Sequence, residues 1–197
     1  MKSKNAKTTY QFTLVLKGVN QDTPDLEDSL YEAGCDDALI NFRDGTVFLD
    51  FDREDTSLEE AVISAIKNVR SSTIDAEIAS VAPENLVTES EIAKRLNKSR
   101  QAVSLWIKGS RRELFPQPIM HLAGRSPLWK WSEVTQWLYV NKIIITNELV
   151  DNAAFIVNIN AAIERIDANT KRKRSVLFNK LDCLSRHHQK SKTAHSR

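Results

Sequence analysis

Residues 88–109, TESEIAKRLNKSRQAVSLWIKG, predict two short helices joined by a tight turn. Thr88 and Glu91 have the spacing of a capping box, in which each side chain satisfies a free amide at the start of a helix. Asn97 suits the turn because asparagine tolerates the left-handed backbone conformation. Ser99 is placed to cap the second helix, whose apolar residues recur on one side. These apolar residues are Ala102, Val103, Trp106 and Ile107.

The outer side of this second helix is polar and basic. It carries Arg100, Gln101 and Ser104, whose side chains are of the types that hydrogen-bond to base edges in the major groove of DNA. Lys108 lies on the same side and suits a phosphate. We therefore predict a DNA-binding helix-turn-helix, with Arg100, Gln101 and Ser104 as the base-contacting residues.

The segment that follows, FPQPIMHLAGRSPLWKWSEVTQWL (115–138), predicts a hairpin and then a helix. Its two early prolines prevent a continuation of the preceding helix. Residues 119–122 and 128–131 are expected to pair as short strands across residues 123–127. Ser132 is expected to cap the helix after the hairpin. The residues on one face of that helix are Val134, Trp137 and Leu138.

Together, residues 86–138 resemble the small winged-helix DNA-binding domains of the excisionase, AlpA and MerR-like group. The resemblance rests on an E-I-A-x-x-L first helix, an S-R-x-x-V second helix, an F-P-x-P break and a W-x-W-S-E-V-x-x-W-L close, and it covers about a quarter of the chain. Lys98 departs from the pattern, since many such turns place an apolar residue there. The resemblance implies that the second helix enters the major groove and that the hairpin wing touches backbone or minor groove.

The resemblance also implies a set of basic residues that bind phosphate. These are Lys98, Lys108, Arg111, Arg112, Arg125 and Lys130. The tryptophans are expected to support the core or the wing and not to stack on bases, because large aromatic side chains chiefly serve burial. These tryptophans are Trp106, Trp129, Trp131 and Trp137.

Residues 9–82 predict the element order β-α-β-β-α-β, which is that of a ferredoxin-like sandwich. A first strand alternates from Tyr10 to Leu16, and a helix is expected to start with Pro24 as its first residue. Two strands then form a hairpin across residues 43–46. Ser57 and Glu60 open a second helix, and residues 74–78 alternate as a last strand.

Asp50 and Asp52 project to the open face of the predicted sheet, together with Phe48. Two carboxylates on such a face are one way to bind magnesium, but no phosphate-binding loop accompanies them. A solvated acidic face is the more ordinary interpretation. We expect this domain to assemble or sense, by contacting a protein through its open face or an edge.

Residues 80–86 are expected to be a linker, and residues 139–170 a long amphipathic helix. Its stripe runs from Ile145 through Ile156 and Ile163 to Ile166. Such a stripe needs a partner, either a second copy of the chain or the chain's own domains, and a homodimer is slightly favoured. The asparagines within the stripe suggest that a buried asparagine sets the register between two paired helices.

Charge is segregated along the chain. Residues 1–82 hold 8 basic and 16 acidic residues, residues 83–138 hold 9 and 5, and the last 27 residues, 171–197, hold 9 and 1. This asymmetry indicates an acidic body with basic parts that face nucleic acid. The 171–197 tail predicts a short helix and then a disordered basic stretch that holds phosphates without reading sequence.

Residues 1–8 predict a disordered leader without the apolar core of a signal peptide. No apolar run reaches the length of a membrane span. Two isolated cysteines, Cys35 and Cys183, are most simply free thiols, and no histidine–cysteine spacing predicts a metal site. These features favour a cytoplasmic protein without contact to membranes.

The sequence as a whole predicts an α+β protein with a ferredoxin-like domain, a winged helix-turn-helix, a long helix and a basic tail. The expected function is sequence-specific transcriptional regulation of bacterial or phage type, on double-stranded DNA, without catalysis, cofactor or metal. Two alternatives remain open. One is an excisionase-like architectural factor that bends DNA, and the other is an antitoxin or defence-complex subunit that grips a protein through its N-terminal domain.

Overall fold

The computed structural model describes residues 7–109, 114–119 and 127–193, with residues 179–193 as backbone only. Within them the chain is a mixed α+β protein with a four-stranded antiparallel sheet, a two-stranded sheet and six helices. The strands are β1 (Thr8–Lys17), β2 (Ala38–Arg43), β3 (Thr46–Asp55), β4 (Glu77–Ala82), β5 (Leu86–Val87) and β6 (Trp129–Lys130). The helices are α1 (Leu26–Glu32), α2 (Leu58–Ser71), α3 (Glu89–Arg95), α4 (Arg100–Ile107), α5 (Trp131–Val140) and α6 (Glu148–Thr193).

The four-stranded sheet has the strand order β2-β3-β1-β4. Alternation puts Leu14, Val47 and Leu49 on one face, where they are fully buried, and α2 packs against β1 and β3. Asp44 and Gly45 both have positive φ, as the predicted two-residue hairpin turn between β2 and β3 requires. Ser57 Oγ accepts the amide of Glu60, as predicted for the start of α2.

The predicted start of α1 is wrong. The helix begins at Leu26, and Pro24 lies outside it. Asp25 takes a left-handed φ of 53°, which an α-helix does not contain, so the helix starts only after it. Before Pro24 the chain forms a local turn, in which Asn20 accepts the Thr23 amide through its carbonyl and the Asp22 amide through its side chain.

The predicted last strand is also displaced. β4 runs from Glu77 to Ala82, so it occupies part of the expected 80–86 linker. A bulge opposite Val15 and Leu16 separates the two buried residues of β4, Ile78 and Val81, by three positions. A search for strict alternation therefore misses this strand.

The expected continuous helix over residues 139–170 is interrupted. α5 ends at Val140, Lys142 takes a left-handed φ of 56°, and the amide of Ile143 bonds back to the carbonyl of Leu138. These features close a helix end without the usual glycine, which is why the sequence did not show it. α6 then continues through Thr193, where a short helix and a disordered tail were expected.

The first part of α6 folds back on its own chain. Ala153 and Ile156 are buried, and the Asn160 amide bonds to both the N–H and the carbonyl of Val81 at distances of 2.8 Å. Asn160 therefore covers the outer edge of β4, and it does not set a register between two helices. This contact favours the fold-back alternative for that part of the stripe.

Residues 1–6 of the expected leader lie outside the described residues, and β1 already begins at Thr8. Among the helices that the structure describes, none combines the length and the apolar composition that a bilayer crossing requires.

Candidate functional site

The turn between α3 and α4 has the predicted geometry. Thr88 Oγ1 accepts the amide of Glu91 at 3.2 Å, and Ser99 Oγ accepts the amide of Ala102 at 3.2 Å. Asn97 has a φ of 50°, the left-handed conformation expected there. The amide of Lys98 bonds back to the carbonyl of Ala93 and closes the turn. Local capping and turn chemistry therefore set the two helices.

Aromatic packing fixes the inner side of α4. Val103 is fully buried, and the Trp106 ring lies 6.1 Å from the Trp137 ring of α5. Phe115 packs edge-on against Trp137 at 4.9 Å, and the Trp129 indole donates to the carbonyl of Pro116 at 3.0 Å. The predicted supporting role of the tryptophans is confirmed for the buried residues Trp129, Trp131 and Trp137, while Trp106 is half-buried.

The outer side of α4 is open to solvent. Arg100 and Gln101 are exposed, while Ser104 is half-buried. Lys98, just before the helix, and Lys108, at its end, are exposed as well. The structure thus places these five predicted residues on or beside one short helix.

The remaining predicted phosphate contacts are less well placed or lie elsewhere. Arg111, Arg112 and Arg125 lie outside the described residues. Lys130 is half-buried on β6 and forms an ion pair with Glu133 at 2.9 Å. Its charge is therefore partly compensated within the protein, which makes it a weaker phosphate ligand than Lys98 or Lys108.

The charged residues in the segment around α4 are all positive. Counts of charge over longer segments of the chain hide this feature. Residues 92–112 contain no aspartate or glutamate. Their basic residues are Lys94, Arg95, Lys98, Arg100, Lys108, Arg111 and Arg112. Arg95 is used internally, since it bonds to the carbonyl of Glu84 and lies over the Trp131 ring. The other cations of the described part, including exposed Lys94, provide positive charge for a polyanion.

The predicted hairpin is only partly described. The Ile119 amide bonds to the Leu128 carbonyl at 2.9 Å, and residues 120–126 lie outside the described residues. The partner that the sheet gives to β6 is β5, with Leu86 opposite Lys130 and Val87 opposite Trp129. Two-residue strands lack the alternation by which a strand is recognised, so β5 was not predicted.

Ser132 does not cap α5, contrary to the prediction. α5 already starts at Trp131, and its first amides are accepted by Asn85 from the segment between β4 and β5. The Asn85 carbonyl accepts the Trp131 amide, and Asn85 Oδ1 accepts the Ser132 amide at 2.9 Å. A residue 47 positions away supplies the cap, which no local pattern reveals.

The carboxylates on the open sheet face have neutral partners. Asp50 accepts from Thr13 Oγ1 and from Asn41 Nδ2, and Asp52 accepts from Gln11 Nε2 at 2.8 Å. Within the described ranges, no three His, Cys, Asp or Glu side chains lie close enough together to hold a metal ion. These hydrogen bonds fit the interpretation of an ordinary polar sheet face.

Sequence reasoning missed a buried arginine in the sheet. All five N–H donors of Arg53 are used: two on the Asp37 carboxylate at 2.7 and 2.8 Å, and the others on Ser64, Asn68 and the Gly34 carbonyl. Burial lowers the pKa of Arg53, but the bond and charge of Asp37 outweigh burial and leave this pKa above its usual value. Position 53 continues the alternation of inward-facing residues along β3, and this alternation could have predicted that Arg53 is buried.

No protein-family model, curated protein or solved structure matches this chain. Its function is therefore argued from its own residues, and the α3–turn–α4 segment offers the strongest basis.

Proposed function

We propose that this chain is a non-catalytic, sequence-specific DNA-binding regulator of bacterial or phage type, with α4 as its recognition helix. One observation carries the proposal. The exposed side of α4 presents Arg100 and Gln101 in a 21-residue stretch, 92–112, that has seven basic and no acidic residues. Arginine pairs with guanine and glutamine with adenine by two-point hydrogen bonds, and flanking cations bind phosphates.

In this proposal residues 86–138 form a winged helix-turn-helix and residues 9–82 a ferredoxin-like sandwich. The capped α3–turn–α4 pair, the β5–β6 pairing and the α5 support behind Trp106 agree with the first assignment. The order β2-β3-β1-β4 with helices after β1 and β3 agrees with the second.

α4 suits a major groove because its two sides are sharply different. Val103 anchors the inner side at zero exposure, while Arg100 and Gln101 lie in the first turn of the outer side. In helix-turn-helix proteins the N-terminal residues of the recognition helix are the ones that reach base edges. Lys98 and Lys108 lie close before and after α4, where they are available to bind backbone phosphates.

The basic residues 171–197 would add affinity without sequence preference. Nine basic residues and one acidic residue give this segment a charge of +8, which favours phosphate contact through release of counterions. Replacing Lys171, Arg172 and Lys173 by glutamine, which leaves Leu177 in place, should weaken binding to all duplexes alike and flatten the dependence of log K on log salt. A replacement that changes the preferred sequence but not the salt slope would count against this role.

A homodimer is part of the proposal, but the residues that support it lie further along α6 than the sequence pattern indicated. Ile156 and Ile163 are buried, so their burial gives no argument for a second copy. Ile166 and Leu177 remain 52% and 60% exposed, and their spacing of eleven residues places them about three turns apart on one side. Val176 and Phe178, beside Leu177, are 49% and 70% exposed, and exposed apolar residues of this kind support pairing of two such helices. Leu177→Asp should then yield a folded monomer by light scattering, whereas a monomeric wild type would contradict the dimer.

A protein contact through the N-terminal region is a second candidate role. β2 is an edge strand, and Leu39 on its open face is 66% exposed beside the half-buried Phe48. An edge with an exposed apolar residue is suited to pairing with another chain. Co-purification that depends on residues 1–82 and is lost with Leu39→Lys would support a partner-binding subunit.

Selection from a pool of random duplexes tests the main proposal. The wild-type chain should enrich one motif, and Arg100→Ala with Gln101→Ala should lose the preference for it, at about 1–3 kcal/mol for each base contact. Arg70→Ala is the matched control, because Arg70 is another exposed helical arginine. Loss of the motif with Arg70→Ala, or its retention in the double variant, would contradict the proposed docking.

A further inference from the structure

A small cavity lies where the four-stranded sheet, α5 and the start of α6 meet, away from the exposed side of α4. It measures about 180 Å³. Its walls include Leu58 of α2, Trp131 of α5, and Ala153 and Ile156 of α6. All its lining residues belong to the compact unit that ends at Asn160. The size suits a small molecule, since an apolar cavity of about 150 Å³ accepts benzene.

Two polar groups in the cavity wall have no partner within the described part of the chain. The hydroxyl of Tyr10 and the side-chain amide of Asn152 form no hydrogen bond there, although both residues are half-buried. Nearby amides are by contrast occupied, Asn85 with the start of α5 and Gln11 with Asp52. Neither polar group is fully buried, so each reaches solvent and is open to a ligand as a donor or an acceptor.

The geometry points to a binding site for a small aromatic molecule that carries one hydroxyl or N–H group. The apolar walls take the ring, and Tyr10 and Asn152 take the polar group. A charged ligand is disfavoured because no Lys, Arg, Asp or Glu lines the cavity. The volume limits the ligand to one or two rings.

The position of the cavity connects it to α4, and this part of the inference rests on the proposed DNA-binding function. Trp131 lines the cavity and is the first residue of α5, where Asn85 holds its amide. At the other end of α5, Trp137 contacts Trp106 of α4. A ligand against Trp131 therefore acts on the helix that supports α4 from behind. Coupling between two sites is reciprocal, so bound DNA should change the ligand affinity by the same factor.

Titration of the ¹⁵N-labelled full chain with phenol tests the site without DNA. Phenol should bind saturably, with a Kd in the high micromolar to millimolar range for so few atoms, and should shift the amides of residues 152–156 and 131. Ala153→Leu fills the cavity and should abolish binding. Asn152→Ala should weaken phenol about fivefold while changing benzene binding less than twofold, because only phenol has a hydroxyl.

Asn158→Ala is the matched control, since Asn158 is exposed on α6 and does not line the cavity. Absence of saturable binding, or binding that survives both Ala153→Leu and Asn152→Ala, would overturn the site. The Asn152→Ala arm keeps the test decisive if Ala153→Leu does not fold.

A DNA arm separates this inference from the proposed function. With a duplex obtained by selection, saturating phenol should change the wild-type Kd for DNA at least threefold and leave that of Ala153→Leu unchanged. Phenol binding by a chain that binds no duplex would contradict the proposed function and support the site. Binding of DNA without any binding of phenol would support the proposed function and contradict the site. Binding of both without mutual effect would overturn the coupling.

Discussion

Two arginines show how differently this chain uses positive charge in its two main regions. Arg53, in the four-stranded sheet, is buried and donates all five of its N–H groups to the protein. Arg100, on α4, is exposed within a stretch that has no carboxylate of its own. The first arginine organises a fold, and the second is available to a ligand. A basic residue indicates a binding function when acceptors of the protein itself do not already occupy its N–H groups.

The largest effect is expected where charge is satisfied internally. Arg53→Met should destabilise the protein by about 3 kcal/mol, because it leaves Asp37, Asn68 and the Gly34 carbonyl without their donor. Chemical denaturation measures the change. Arg100→Met should alter stability by less than about 0.5 kcal/mol, as expected for an exposed position. Equal losses in the two variants would remove the distinction between the two arginines.

Asn160 offers a similar contrast along α6. Asn160→Ala removes two hydrogen bonds to the edge of β4 and leaves the Val81 backbone unpaired, so it should cost about 1–2 kcal/mol. The exposed neighbour Asn158 provides the control, and Asn158→Ala should cost almost nothing. Amide exchange at Val81 should accelerate only in the first variant. Unchanged exchange there would show that α6 does not hold this edge in solution.

The cap of α5 gives a smaller effect with a clear sign. Asn85→Ala removes the acceptor of the Ser132 amide and should cost about 1 kcal/mol. Ser132→Ala should cost less, because the Ser132 hydroxyl does not cap the helix. Thermal melts of the two variants decide between the structure and the sequence pattern. A larger loss of stability for Ser132→Ala would instead indicate that the Ser132 hydroxyl caps the helix.

At neutral pH the smallest effect is that of Cys35, whose contribution to stability changes only at high pH. Burial raises the pKa of its thiol to about 11 from an ordinary value of 9.0, with Arg53 opposing the rise. The folded state thus holds its proton where the unfolded state has lost it, and stability should fall as pH rises from about 9 to 11. Cys35→Ala should lack this part of the decline. An identical decline in both proteins would assign it to other groups.

The sequence predicted those parts of the fold that local chemistry decides. The Thr88 and Ser99 caps, the left-handed Asn97 and the Asp44–Gly45 turn all depend on residues within a few positions of one another. The burial of Trp137 followed from helical spacing, and that of Trp129 and Trp131 from the general tendency of large aromatic side chains to be buried. The exposed residues of α4 were placed by the same spacing, so the candidate site was largely visible before the structure.

The remaining features depend on contacts between distant residues. Asn85 caps a helix that starts 46 residues later, and Asn160 bonds to a strand 79 residues away. Lys142 ends α5 in a left-handed conformation that usually calls for glycine. Asn85 and Asn160 are placed by tertiary packing, and in none of the three cases did the local propensity of the residue indicate its role.

Chemical-shift mapping with a DNA duplex tests the central claim most directly. The duplex should be one recovered by selection, titrated into the ¹⁵N-labelled full chain. Amides of residues 98–108 should shift or broaden at stoichiometric duplex, while amides around Arg53 in β3 should stay unchanged. Shifts confined to the four-stranded sheet, or an α4 unaffected by bound duplex, would contradict the claim that α4 is the surface that reads DNA.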